Sequence, residues 1–69
     1  MTSLQDWLLD AHDRDDRRGL VALYREAADS TDDIDAACFY LTHAYIYALE
    51  MGDPAQDQIY LRLKAHGRV

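Results

Sequence analysis

The tripeptide Gly52-Asp53-Pro54 constrains this chain more than any other short stretch. Glycine reaches the left-handed backbone conformation that ends a helix. Aspartate accepts hydrogen bonds from the free N–H groups of a new helix, and proline at the first helical position loses no bond. GDP therefore stops one helix and starts another. Pro54 is the only proline and there are only three glycines, so the other breaks must come from aspartate, at Asp13–Asp16 (DRDD) and Asp29–Asp33 (DSTDD). Between the breaks, apolar residues recur at helical spacing: Leu4, Trp7, Leu8 and Ala11, then Leu20, Leu23, Tyr24 and Ala27, then Ile59 and Leu63 with Ala55 and His66. No stretch alternates like a strand between turn residues. The chain is expected to be all-α, a single domain over residues 1–69, with helices near 3–13, 16–29, 33–51 and 54–66. Short connections predict that successive helices pack antiparallel. The expected N-caps are Thr2 or Ser3 (with Gln5 or Asp6 three residues on), Asp15 or Asp16, Thr31 or Asp32, and Asp53, with Gly67 as the last stop.

A chain of 69 residues forms a modest core, because small domains hide only about 60% of the surface their unfolded chain exposes. With one cysteine there is no disulfide framework, which leaves tight helix packing or association, such as a homodimer, as the means of support. Cys38 lies in an apolar run with no Lys or Arg close in sequence, as a buried thiol in a reducing compartment would. The formal charge is −6, and all of it resides in residues 1–35, where ten acids face four arginines; residues 36–69 balance three against three. Direct nucleic-acid binding and an anionic membrane surface are disfavoured, since both require Lys and Arg. The opening segment MTSLQDWLLDAHD lacks a basic region ahead of a long apolar run, so no signal peptide is expected. The run Ala36–Met51 is too short to span a bilayer. The expectation is a cytoplasmic protein.

The two halves invite comparison. Trp7, Leu8 and Ala11, the Asp15–Asp16 turn, and Leu20, Tyr24 and Ala27 resemble the large, small and aromatic positions of a tetratricopeptide repeat. Leu41–Tyr45 (LTHAY) is similar to that family's helix A signature, and Gly52–Asp53 to its turn. Tyr45 and Gly52 are about three residues further apart than in the roughly 34-residue repeat, and Asp57 stands where a small residue is usual. The resemblance implies two tetratricopeptide-like helical hairpins with a lengthened third helix, and a role in binding proteins or peptides in a groove.

Chemistry-bearing constellations are sparse. His12 and Asp16 have i,i+4 spacing but straddle a break, and no HExxH, CxxC or His-x3-His occurs. The acidic segments lack the glycine and the bidentate glutamate of a calcium loop: counted from Asp13, the sixth position is Arg18, and counted from Asp29, the twelfth is Tyr40. Cys38 and His43 are five residues apart, on different helical faces, and no glycine-rich loop is present to cradle phosphate. The expectation is a non-enzymatic protein with no catalytic, cofactor-binding or metal-ligating residues and no small-molecule substrate. A weak metal-binding or enzymatic role through His12, His43 or His66 is the least favoured alternative.

Ala36–Met51 is the most distinctive run. At helical spacing it divides into a stripe of small and aliphatic residues (Ala37, Cys38, Leu41, Ala44 or Tyr45, Ala48 and Leu49), fit for a core, and an aromatic, polar-tipped stripe. The second contains Phe39, Tyr40, His43, Ile46 and Tyr47, with Glu50 at its end. Tyrosine offers contact area at low entropic cost and a hydroxyl to pair. These five residues are the candidate interaction surface for a second copy or another protein. The stripe could instead cover the other helices with its polar tips in water, or line a ligand groove. A separate possibility is an acidic decoy or inhibitor that occupies a basic protein surface through Asp13, Asp15, Asp16, Asp29, Asp32 and Asp33.

Overall fold

The computed structural model describes residues 3–69, and every regular element among them is an α-helix. The order is α1 (Leu4–Asp13), α2 (Arg17–Asp29), α3 (Ile34–Met51) and α4 (Ala55–Ala65). Each helix packs against the next in sequence, and the α2–α3 contact is the most extensive. The Cα trace measures 33 × 28 × 12 Å, so the helices form a thin slab with α1 and α4 as its open edges. No described helix is long and apolar enough to cross a membrane.

The helix starts follow from side-chain acceptors. Ser3 caps α1: its hydroxyl accepts from the Asp6 N–H, while the Asp6 carboxylate accepts from the Ser3 N–H. The alternative cap, Thr2, lies outside the described residues. Asp16 caps α2 by accepting from the Gly19 N–H at 3.0 Å. The cap of α3 is Asp33, not Thr31 or Asp32; its carboxylate accepts from Asp35 and Ala36. Thr31 is one step removed, its hydroxyl accepting from the Asp33 N–H at 3.2 Å and so holding the cap residue in place. Pro54, expected as the first helical residue, instead occupies the N-cap position of α4, which begins at Ala55; Asp53, the expected cap, lies one residue earlier and still accepts from the Ala55 N–H at 2.9 Å.

Three helix ends share one construction. The Asp15 and Asp16 N–H groups donate to the His12 and Ala11 carbonyls, those of Gly52 and Asp53 to Leu49 and Ala48, and those of Gly67 and Arg68 to Lys64 and Leu63. Each pairing is the Schellman closure, which requires one left-handed residue. Gly52 (φ 64°) and Gly67 (φ 71°) supply it at two ends, and Asp15 (φ 53°) supplies it at the first.

The core is a seam between the helices. Leu20, Leu41, Ile59 and Leu63 are its largest fully buried side chains, each worth ~1.5–3 kcal/mol over exposure. Ala11, Ala44 and Ala48 are fully buried, and their small side chains permit close helix approach. Val21, Tyr24, Ala28 and Cys38 complete the seam. Three expected inward residues are exposed: Trp7 at 55%, Leu49 at 49%, and His66 in solvent at the end of α4. Trp7 is uncovered because α1 lies at an open edge, and His66 because α4 ends at Ala65.

Polar ties cross the seam at the surface. Arg17 at the start of α2 meets Glu50 at the end of α3 at 3.3 Å, as antiparallel packing requires. Arg25 donates to Gln58, and four residues on Arg62 pairs with Asp29 at 2.6 Å. This matched four-residue step means that α2 and α4 run in the same direction. Arg68 pairs with Asp35 at the opposite end from Glu50.

Candidate functional site

The aromatic stripe of α3 arises because an 18-residue helix with few polar side chains has more apolar circumference than its neighbours can cover. Its small side, Cys38, Leu41, Ala44 and Ala48, is buried. On the flank toward α2, Tyr40, His43 and Tyr47 are half-buried around Tyr24. The Tyr24 ring lies 6.1 Å from Tyr47, nearly parallel at 12°. It lies 5.1 Å from His43 and 6.3 Å from Tyr40. From α1, His12 meets Tyr47 edge-on at 6.0 Å, and its Nε2 shares a 2.9 Å hydrogen bond with the Tyr24 hydroxyl. Burial pushes the Tyr24 hydroxyl above the ordinary tyrosine range, with Tyr47 and then Tyr40 adding to the effect.

The five expected contact residues therefore divide in two. Tyr40, His43 and Tyr47 join an inter-helix cluster. Phe39 and Ile46 stand outside it, 60% and 47% exposed. Phe39 is held from behind: its ring is 4.4 Å from His43, and the His43 Nδ1–H donates to the Phe39 carbonyl at 2.9 Å. Phe39, His43 and Ile46 thus form a ridge whose outer members are apolar and whose footing is fixed by tyrosines. Tyr24 and His12 are members of the cluster that sequence spacing does not reveal, because they come from other helices.

Two depressions flank these elements. One, of about 490 Å3, lies at the α1–α2 edge and is lined by Asp6, Trp7, Asp10, Arg14 and Leu23. The other, of about 360 Å3, is lined by Asp35, Cys38, Phe39, Thr42 and Arg68. Cys38 is free and buried. Although distant in sequence, Arg68 comes to the same depression, where its guanidinium is held by Asp35. Among the described residues, no three His, Cys, Asp or Glu side chains converge as metal ligands would.

The six acidic candidates do not make one patch. Asp13, Asp15 and Asp16 sit at the α1–α2 turn, and Asp29, Asp32 and Asp33 at the α2–α3 turn. The 13 residues of α2 separate the two groups, about 20 Å at 1.5 Å per residue. Asp16 and Asp33 serve as caps, Asp15 lies 3.4 Å from Arg17, and Asp29 pairs with Arg62. Asp13 and Asp32 are exposed.

No family model, curated protein or solved structure matches this chain.

Proposed function

We propose that the chain is a non-enzymatic helical protein-interaction module, and that the α3 ridge is its contact surface for a second copy or another protein. The observation that carries this reading is the pairing of exposure with fixed geometry: Phe39 and Ile46 are solvent-exposed on a helix face anchored by Tyr40, His43 and Tyr47. Rigid aromatic residues presented to solvent lose little entropy on binding. Two successive antiparallel hairpins are also what a tetratricopeptide-like protein would present, which adds support for binding over catalysis. The acidic-decoy reading has less support, because its carboxylates lie at two ends of the slab and several are engaged within the fold.

The test is Phe39→Asp and Ile46→Asp. Both side chains project outward, so helical circular dichroism and melting temperature should hold. Sedimentation mass at high micromolar concentration, or recovery of a protein partner by the immobilised chain, should fall. A wild type that stays monomeric, and that recovers no protein beyond what the Phe39→Asp variant recovers, would overturn the proposal.

A further inference from the structure

The two hairpins share a register that identifies an unfilled helix seat. The Schellman closures at Asp15 and Gly52 are 37 positions apart, and their acceptors, Ala11 and Ala48, are equivalent and fully buried. The same step relates Leu4, Trp7 and Ala11 of α1 to Leu41, Ala44 and Ala48, which α3 buries. On α3, the flank bearing Ala44, His43 and Tyr47 is covered by α2. On α1, the equivalent flank bears Trp7, Asp6 and Asp10. No helix among the described residues covers it: the backbone of α1 neighbours α2 alone, and its one aromatic contact with α3, His12 against Tyr47, is made by another residue of α1. The depression of about 490 Å3 lies here, with Leu23 of α2 at its side.

We propose that this groove is a second docking site, and that its occupant is a basic amphipathic helix of another protein, seated on α1 as α2 is seated on α3. The repeated register supplies the shape, because the equivalent flank of the second hairpin already holds a helix. Charge supplies the sign. Within Leu4–Asp13 there are three aspartates and no Lys or Arg, and two of them, Asp6 and Asp10, line the groove one turn apart. Trp7, 55% exposed between them, provides an apolar surface and a ring face that attracts cations. Arg14 at the end of the groove holds Asp10 at 2.9 Å. That pair is exposed and contributes little, so an incoming Lys or Arg can share or displace it. A second copy fits less well. Its α4 is the counterpart of α2, but the 37-residue step places Asp57 where α2 buries Leu20, which would bring a fourth carboxylate toward acid-rich α1. The site lies on a different element from the α3 ridge and does not depend on it.

Trp7 is the only tryptophan, so its emission reports on this groove alone. The experiment titrates the intact chain at low salt with a synthetic amphipathic helix of leucine and lysine, using a leucine–glutamate peptide of the same pattern as control. The basic peptide should shift Trp7 emission to the blue with saturation, and the acidic one should not. Asp10→Asn and Asp6→Asn should each weaken binding by about two- to fivefold, the scale of one exposed ion pair, and added salt should weaken it further. Asp29→Asn at the far end, and Phe39→Asp on the ridge, should leave it unchanged. Asn retains the acceptor oxygen of the Asp6 cap, and helical circular dichroism checks that α1 persists. No shift with the basic peptide, equal binding by both peptides, or equal weakening by Asp29→Asn and Asp10→Asn would overturn the proposal. An emission shift with protein concentration alone would also overturn it, naming a second copy as the occupant.

Discussion

Replacing Asp15 by glycine should stabilise this protein. Asp15 occupies the left-handed position of the first Schellman closure at φ 53°, where the other two closures use glycine. The left-handed region costs an L-residue roughly 1–2 kcal/mol. Glycine removes that cost but raises the entropy of the unfolded chain, an offset of roughly 0.5–1 kcal/mol. The substitution also removes the ion pair of Asp15 with Arg17 at 3.4 Å; the aspartate is 77% exposed, so the pair has negligible weight. The net expectation is a gain of about 0.5–1 kcal/mol, or roughly 2–8 °C in melting temperature for a domain of this size. Thermal denaturation followed by circular dichroism measures it. Two companions isolate the cause. Asp15→Asn removes the charge and keeps a residue that tolerates the conformation, so it should move the midpoint much less. Gly52→Ala should destabilise by about 1 kcal/mol; the added Cβ would meet nothing within 4 Å, so the effect would be one of backbone conformation. If Asp15→Gly lowers the midpoint, or Asp15→Asn matches it, the conformational argument fails.

Leu41→Ala, at the fully buried centre of α3, should cost about 2–5 kcal/mol by chemical denaturation, enough to unfold much of so small a domain. Tyr47→Asp should destabilise the fold by placing a carboxylate against the Tyr24 ring, whereas Phe39→Asp should leave the melting temperature nearly unchanged; equal effects would contradict the division of the stripe. The raised pKa of Tyr24 gives stability that is fully present below the ordinary tyrosine pKa of about 10 and is lost as pH rises through the folded value. Alkaline unfolding should therefore be shallower in Tyr24→Phe than in the wild type, at the cost of the hydrogen bond to His12, about 1 kcal/mol near neutral pH.

The helices were legible because aspartate, glycine and proline act locally: a cap or a left-handed residue is decided within a few positions. The residual error has the same local origin, since any acid in DSTDD has the chemistry to cap and only the backbone path selects Asp33. The two stripes of α3 were also legible from spacing. What distinguishes Phe39 and Ile46 from Tyr40, His43 and Tyr47 was not, because it depends on Tyr24 and His12 arriving from other helices. The approach of Arg68 to Cys38 was hidden by the same sequence distance. The groove at Trp7 was hidden because helical spacing alone marks Trp7 as a core residue. Only the partnerless edge of the slab shows that the seat is open.

That thin, one-after-another packing sets an order of opening. Among the described residues, the backbones of α2 and α3 each neighbour two helices, whereas those of α1 and α4 neighbour one apiece and reach a further helix only through side chains. Backbone amides of the two edge helices should exchange with solvent through partial openings that leave the middle pair closed, while those of α2 and α3 should wait for global unfolding. A helix arriving at the α1 edge would give that edge a second neighbour, so binding there should register as slowed exchange along Leu4–Asp13.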